Sequence, residues 1–264
     1  MSTPAIWPAS QPLVDMQSGM LIGFEVLARW TDCETGAISP SEFISVAETD
    51  DLINALTEKI VSEACRQARE WPGAFVLAIK LSAAQFREPH LFEFIRSTVQ
   101  AAEFPLDRIR VKIAESVLLD DDETVRSKIA LLKSAGISLA LDDFGTGCSS
   151  LIQLHRFPLD KLKIEMSFVR SMHDSNDSRK IVASVIGLGQ SLGMAVIAEG
   201  VETEEQATIL RRLGCDVGQG LLFGKPRNGA QTAAWLKQRS ADRFVFSRHG
   251  SALCQRQQPL RANV

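Results

Sequence analysis

Short apolar runs alternate with amphipathic stretches along almost the whole chain. The runs are rich in Val, Ile and Leu, which is typical of buried strands, and the stretches repeat apolar residues every three to four positions, which is typical of helices. The strand-like runs lie at 20–27, 75–81, 109–113, 137–143, 159–165, 194–199 and 215–224. The helical stretches lie at 39–48, 50–71, 91–102, 122–135, 178–192, 204–213 and 232–238. Repeated βα units of this kind predict a parallel sheet.

The number of units favours one particular α/β architecture. So many βα units in roughly 240 residues fit a (β/α)8 TIM-like barrel better than an open three-layer sheet. An open sheet that binds dinucleotides is the weaker alternative, because no G-x-G-x-x-G follows the first strand. We therefore predict a barrel domain over residues 1–240. From about Ser240 the chain becomes polar and arginine-rich, which predicts a flexible tail at 241–264.

Composition and charge exclude several classes of protein. The 264 residues are 45% hydrophobic with a net charge of −3, so the chain lacks the basic excess of proteins that bind polymeric nucleic acid. No apolar run approaches the roughly 20 residues that span a bilayer, and the N-terminus lacks the parts of a signal peptide. The five cysteines include no C-x-x-C pair. We expect a cytoplasmic protein without a membrane segment.

Polar residues end the strand-like runs, and in a parallel barrel these ends meet at one mouth, where barrel active sites lie. Four of them are carboxylates, the oxygen ligands that Mg²⁺, Mn²⁺ or Ca²⁺ prefer, and the adjacent Asp142 and Asp143 are placed to bridge two ions. For any single carboxylate, a solvated strand end or a helix N-cap explains the residue equally well. The residues are Glu25, Lys80, Lys112, Asp142, Asp143, Lys163, Glu199 and Gln219.

Five sequence motifs indicate the function more specifically than the spacing of these polar residues does. In chain order they are F-E-V-L-A-R-W, L-D-D-F-G-T-G-C-S-S-L, L-K-I-E-M-S-F-V, V-I-A-E-G-V-E-T and C-D-V-G-Q-G-L-L-F-G-K-P. Together they closely resemble the EAL family of bacterial cyclic di-GMP phosphodiesterases, from Gln11 to Pro226. The resemblance implies a barrel, a pair of Mg²⁺ or Mn²⁺ ions, hydrolysis of one phosphodiester of cyclic di-GMP, and signalling, often beside sensor or cyclase domains. Because the resemblance begins close to Met1, we expect any such sensor or cyclase domain to lie on another chain or to have been removed from this one.

The resemblance implies roles for the strand-end residues. Glu25, Asp142, Asp143 and Glu199 match metal ligands, Lys163 matches the lysine that orients or activates the attacking water, and Gln219 matches a polar residue near that lysine. Of these, Lys163, Glu199 and Gln219 are the retained catalytic positions. The ligand frame that we expect for cyclic di-GMP consists of Gln11, Leu27, Arg29, Pro40, Asp143 and the rest of the 142–147 loop.

Arg29 is the best phosphate-binding candidate in this frame, because its planar guanidinium group matches the geometry of a phosphate. The alternative for Arg29 is a structural salt bridge beside Trp30. The sequence does not decide between these two roles.

Two positions depart from the family pattern, and both are lysine. The string I-K-L-S-A-A-Q places Lys80 where the family has a metal-ligating asparagine, and K-I-A-E places Lys112 where it has a metal-ligating glutamate. A charged lysine has three donors and no lone pair, so it cannot ligate a cation. An ammonium group about 4 Å from a divalent ion also costs on the order of 8 kcal/mol at an effective dielectric constant of about 20.

We therefore hypothesise that the two ammonium groups replace the metal charge. They would pair with Glu25, Asp142 and Glu199, and we expect no bound Mg²⁺ or Mn²⁺. The alternative is that each lysine lays its stem along apolar neighbours and places its ammonium group in solvent.

Three functions follow from these residues. The favoured one is a catalytically impaired cyclic di-GMP receptor or regulatory module that acts on a signalling protein partner. An active metal-dependent phosphodiesterase is the alternative, which the retained carboxylates and Lys163 support and which Lys80 and Lys112 oppose. The third is a protein-interaction scaffold that no longer binds nucleotide. A homodimer is left open by the sequence.

Overall fold

A computed structural model describes residues 5–119, 123–144, 154 and 156–239. The tail predicted at 241–264 lies outside the described residues, as do the side chain of Asp143 and the 145–147 part of the predicted ligand loop. The strands are β1 (Ala5–Asp15), β2 (Leu21–Asp32), β3 (Gly36–Ile38), β4 (Val76–Leu81), β5 (Ile109–Ala114), β6 (Ser138–Phe144), β7 (Lys161–Ile164), β8 (Ala195–Ala198) and β9 (Val217–Gly218).

Eight of these strands close into a ring in the described part of the chain. Their spatial order is β1-β9-β8-β7-β6-β5-β4-β2, and pairing of β1 with β2 completes the circle. The strands from β4 to β9 run parallel to one another, and β2 runs parallel to β4. The strand β1 is antiparallel to both β2 and β9. The predicted eight-stranded barrel is confirmed, with one reversed strand.

The reversed strand β1 is an element that the hydrophobic pattern does not predict. Pro8 and Pro12 interrupt it, and each proline removes one backbone donor from the sheet. The strand forms because β2 pairs with it over most of its length. A tight turn joins the two, in which the backbone N–H and the hydroxyl group of Ser18 both donate to Asp15.

Helices cover the outside of the ring, and the seven stretches predicted as helical are all helical. The helices are α1 (Pro40–Thr49), α2 (Ile53–Arg69), α3 (Ala83–Arg87), α4 (Leu91–Ala101), α5 (Glu115–Leu119), α6 (Glu123–Ser134), α7 (Met166–Ser171), α8 (Asn176–Leu192), α9 (Glu204–Leu213) and α10 (Gly229–Arg239). The pattern misses α3, α5 and α7 because five or six residues are too few to show a helical period. In the described part of the chain, no helix has the length and hydropathy needed to cross a membrane.

The hydrophobic core has two layers, as a barrel requires. Between the sheet and the helices lies a large cluster that includes Phe24, Trp71 and Phe75, whose rings meet edge to face. Inside the ring, a second and smaller cluster fills the barrel interior with Leu13, Ala78, Ala140, Ile197 and Val217. Because strand side chains alternate between the two layers, the inward positions nearer the C-terminal ends carry the polar residues of the mouth.

Candidate functional site

The mouth of the barrel gathers side chains from five strands. Glu25 stands on β2, Lys112 on β5, Asp142 on β6 and Lys163 on β7, and each of these residues exposes no more than 3% of its surface. Glu199 directly follows β8. Neighbouring parallel strands present their C-terminal ends at the same edge, which is why residues far apart in sequence meet here.

Lys112 is paired inside the barrel and does not reach solvent. Its ammonium group donates to Oε1 of Glu25 and lies 3.4 Å from Oδ1 of Asp142. Its side chain is only 3% exposed. The alternative in which Lys112 extends its ammonium group into water is therefore wrong.

Lys80 reaches the same carboxylate from the solvent side. Lys80 and Lys112 are direct neighbours in the register of β4 and β5. The Lys80 Nζ lies 2.8 Å from Oδ2 of Asp142, so each Asp142 oxygen has a lysine beside it. The Lys80 side chain is 50% exposed, in contrast with the buried side chain of Lys112.

Lys163 completes the set of ion pairs. Its Nζ lies 3.0 Å from Oδ1 of Asp142 and 3.7 Å from Oε2 of Glu25, and it also contacts Oε2 of Glu199. The charge-replacement hypothesis needs one correction, because Glu199 pairs with Lys163 and not with either of the two unexpected lysines. The reason is position: Glu199 follows β8, the strand next to the β7 strand that carries Lys163.

The described carboxylates and ammonium groups of the mouth are equal in number, and their mutual attraction shifts their pKa values. Burial by itself would raise the pKa of Glu25, but Lys112 and Lys163 lower it to about 2. Burial likewise opposes ionisation of Asp142, and the three lysines hold its pKa well below the usual range. Burial also disfavours the charged form of Lys163, yet the surrounding carboxylates raise its pKa well above 10.5. Both carboxylates and the lysine are therefore ionised at neutral pH.

The described residues do not fit the pair of divalent ions that the sequence resemblance implies. A metal site needs converging lone pairs, but among the described side chains no group of three or more His, Cys, Asp or Glu residues is placed to hold an ion. The oxygens of Glu25 and Asp142 face ammonium groups instead. The described side chains of the mouth therefore form an ion-pair network and not a set of metal ligands.

Part of the expected ligand frame lies beside this network. Gln219 Nε2 donates to Oε1 of Gln11 at 3.0 Å, and Gln11 Nε2 donates to the carbonyl of Gly224 at 3.4 Å. Sequence reasoning missed the part that Gly224 plays in orienting Gln11. The available signal was a glycine soon after the last strand, at a point where the backbone passes close to Pro12.

The remaining members of the frame lie on β2 and at the start of α1. Leu27, Arg29 and Pro40 are each half-buried. Arg29 Nη1 donates to the carbonyl of Ala28 at 3.0 Å, and burial lowers its pKa while Glu25 partly opposes that effect. Among the described residues Arg29 forms no ion pair, so the structural salt bridge considered as its alternative role is not observed there.

A closed βα barrel that gathers charged side chains at the carboxyl ends of its strands defines a class of proteins whose sites lie at this end of the barrel. Within that class, the chain belongs to the EAL domain family, whose model matches residues 6–226. The bifunctional diguanylate cyclase/cyclic di-GMP phosphodiesterase MucR of Pseudomonas aeruginosa is 36% identical over 228 residues, which cover 85% of this chain and 33% of that protein. The first curated relatives are much longer, since the match covers only 27% to 33% of their lengths.

Solved structures agree with this family. The PaMucR phosphodiesterase in its c-di-GMP complex superimposes with a TM-score of 0.81 at 35% identity, covering 85% of this chain and 93% of that one. A manganese/cy-diGMP complex of Klebsiella pneumoniae BlrP1 superimposes with a TM-score of 0.74 at 31% identity, covering 87% of this chain and 60% of that one. This chain is thus related to cyclic di-GMP phosphodiesterases in sequence and in fold.

Proposed function

We propose that this chain is a catalytically impaired EAL domain that binds cyclic di-GMP without hydrolysing it. The observation that carries the proposal is the position of Lys112, whose buried ammonium group lies between Glu25 and Asp142. These two carboxylates are the ones that the family resemblance assigns to metal. Because lysine ammonium groups contact both carboxylates, the negative charges of Glu25 and Asp142 are already neutralised.

The state of Lys163 also argues against hydrolysis. A lysine acts as a base only when it loses its proton, and its raised pKa keeps this ammonium group protonated. Its contacts with Glu25, Asp142 and Glu199 hold it within the ion-pair network. We propose that it orients the mouth carboxylates and does not act as a base.

Nucleotide binding is supported by the residues around the network. Gln11, Leu27, Arg29 and Pro40 are retained at the mouth, and Arg29 has a guanidinium group without an ion-pair partner among the described residues. Lys80 adds a positively charged, half-exposed side chain at the mouth. Charge-assisted hydrogen bonds from these two residues would suit the phosphates of cyclic di-GMP.

Two measurements on the purified chain test the proposal. Incubation with cyclic di-GMP and Mg²⁺ or Mn²⁺, followed by chromatography, is expected to give no linear dinucleotide above a blank. Calorimetry with cyclic di-GMP is expected to show binding that Arg29→Ala abolishes, whereas Arg66→Ala on the exposed side of α2 leaves it unchanged. Sustained formation of linear product overturns the impaired-enzyme proposal, and the absence of binding heat indicates the scaffold function instead.

An active phosphodiesterase is the second candidate, because one cluster retains Lys163 with Asp142 and Glu199. The product assay above decides between the two. We further propose a cytoplasmic location and regulation of a signalling protein partner, with homodimerisation as one form of assembly. The support is the family to which the chain belongs.

A further inference from the structure

A second pair of cationic side chains lies deeper in the barrel than the mouth. Arg110 precedes Lys112 by two residues on β5, and Lys161 precedes Lys163 by two residues on β7. Because strand side chains alternate, both share the inward face of the mouth lysines, about 7 Å nearer the N-terminal ends of the strands. Arg110 is only 6% exposed, whereas Lys161 is partly exposed and so connects this region with solvent.

The guanidinium group of Arg110 is not satisfied by the described residues. Its Nε and Nη1 atoms are buried and have no hydrogen-bond partner among them. The two carboxylates whose charge acts on this pair are engaged elsewhere. Asp160 contacts the ammonium group of Lys133 and accepts from the Leu139 N–H at 2.7 Å, and Asp216 accepts from the Val196 N–H at 2.7 Å.

A buried cation that lies near a second cation is costly unless negative charge compensates it. The pKa of Arg110 is lowered to about 10 by burial, with Asp160 only partly opposing the effect. The pKa of Lys161 is lowered by burial and next by the charge of Arg110. The charges themselves therefore repel across this part of the barrel.

The strand neighbours of the two cations carry small side chains. The register partners of Arg110 are Ala78 on β4 and Ser138 on β6, and the partners of Lys161 are Ala140 and Ala195. All four side chains are small, and Ala78 and Ala140 belong to the apolar cluster inside the ring.

We propose that Arg110 and Lys161 form a binding site for a small inorganic oxyanion, with phosphate as the first candidate, separate from the nucleotide site at the mouth. The planar fork of Arg110 would donate two parallel hydrogen bonds from atoms that otherwise have no partner. Lys161 would supply the second charge and the route from solvent. The site does not depend on whether cyclic di-GMP binds or is hydrolysed.

Thermal unfolding of the full chain in added phosphate tests this site, with chloride at equal ionic strength as the reference. Phosphate is expected to raise the Tm of the wild-type chain in a saturable way, and Arg110→Met is expected to lose that rise. Lys161→Met is expected to weaken the apparent affinity by about tenfold or more, a common effect of removing one charge-assisted hydrogen bond. Arg69→Met, which removes an exposed arginine paired with Glu103, keeps the wild-type response.

Further variants separate the proposed site from the mouth and from simple misfolding. Arg29→Ala is expected to reduce the phosphate response less than Arg110→Met does, and an equal or larger loss there would assign the anion to the mouth and overturn the proposal. In phosphate-free buffer Arg110→Met is expected to be at least as stable as the wild type, because it removes a buried charge that Asp160 only partly compensates. If Arg110→Met does not fold, ³¹P line broadening of phosphate is the alternative test. The wild type is then expected to broaden the phosphate resonance, and Lys161→Met is expected to lose this broadening. Equal responses to phosphate and chloride, or an unchanged response in Arg110→Met, exclude the site.

Discussion

The ammonium group of Lys112 donates to Oε1 of Glu25 inside the barrel, across 87 residues of sequence. Both side chains are nearly fully removed from water, at 3% and 4% exposure. A buried charge of either sign is expensive when it stands alone. Each of these two charges therefore compensates the other, and substitution of either residue should lower the stability of the fold strongly.

Replacing Lys112 by methionine is expected to destabilise the fold. The substitution keeps the stem but leaves Glu25 and Asp142 with less compensating charge, and breaking a buried pair in this way costs about 3–5 kcal/mol. Urea unfolding measures the loss. The matched control is Lys180→Met, because Lys180 pairs with Asp177 on the surface and should matter little.

A double-mutant cycle checks that the loss arises from this pair. Glu25→Gln in the Lys112→Met background should cost less than Glu25→Gln alone, because the partner charge is already absent. Additive losses would show that the two residues do not interact, and would remove the main support for charge replacement.

Stability is also expected to fall at acid pH. The pKa of Glu25 is about 2 in the folded chain against an ordinary 4.5, so its contribution is complete above about pH 4.5 and is lost as the pH falls towards 2. This difference corresponds to about 3 kcal/mol, and Asp142 acts in the same direction. Unfolding free energies measured in urea between pH 6 and pH 2.5 should record the decline.

The variant Glu25→Gln distinguishes this mechanism from general acid unfolding. At neutral pH it should be less stable than the wild type, and the gap should narrow as the pH falls, because protonation removes the same charge that the substitution removes. The control Glu58→Gln changes an exposed residue of α2 and should run parallel to the wild type. A gap that stays constant with pH would assign the acid sensitivity to other groups.

Much of this architecture can be predicted from the sequence, because its main signals are local. The alternating apolar and helical periods predict β2 and the strands from β4 to β9 but miss the short β3, and the polar residues that end the predicted strands include the carboxylates and lysines of the mouth. The lysine substitutions are visible as well, since Lys80 and Lys112 occupy recognisable motif positions. The roles of these residues in ligand and metal binding stay predictions.

What the sequence cannot supply is pairing, which depends on three-dimensional register. Lys80 and Lys112 look equivalent as sequence departures, yet one side chain is 50% exposed and the other 3%. The choice of Lys163 as the partner of Glu199 follows from the neighbouring strands β7 and β8. The strand β1 is likewise missed, because its two prolines weaken the local signal and its pairing with β2 restores the strand.

The half-exposed position of Lys80 predicts a role in ligand binding more than in folding. Lys80→Ala is expected to weaken cyclic di-GMP binding by about tenfold, the usual effect of losing one charge-assisted hydrogen bond to a phosphate. Its unfolding free energy should change much less than that of Lys112→Met. Calorimetry and urea unfolding measure the two effects, with Lys59→Ala on the exposed side of α2 as the control. Unchanged affinity would remove Lys80 from the proposed ligand frame.

Reverting both lysines tests whether the ammonium groups are what oppose a metal ion. The double variant Lys80→Asn with Lys112→Glu restores the two ligand types that the family resemblance implies and removes two positive charges. Without a cation, the added glutamate would crowd Glu25 and Asp142, so the apo variant should be less stable than the wild type. Mn²⁺ should then bind in calorimetry and raise the Tm of the variant in proportion to occupancy.

Two comparison variants make this reversion decisive. Lys80→Asn alone should not bind Mn²⁺, because Lys112 still neutralises Glu25 from inside the barrel. Lys80→Asn with Lys112→Gln removes the same two positive charges but adds no carboxylate, so any binding should be much weaker than in the full reversion. If the full reversion binds no Mn²⁺, charge replacement at these two positions is insufficient to explain the state of the mouth. If the wild type already binds Mn²⁺ as tightly as the reversion, the ion-pair network does not exclude metal.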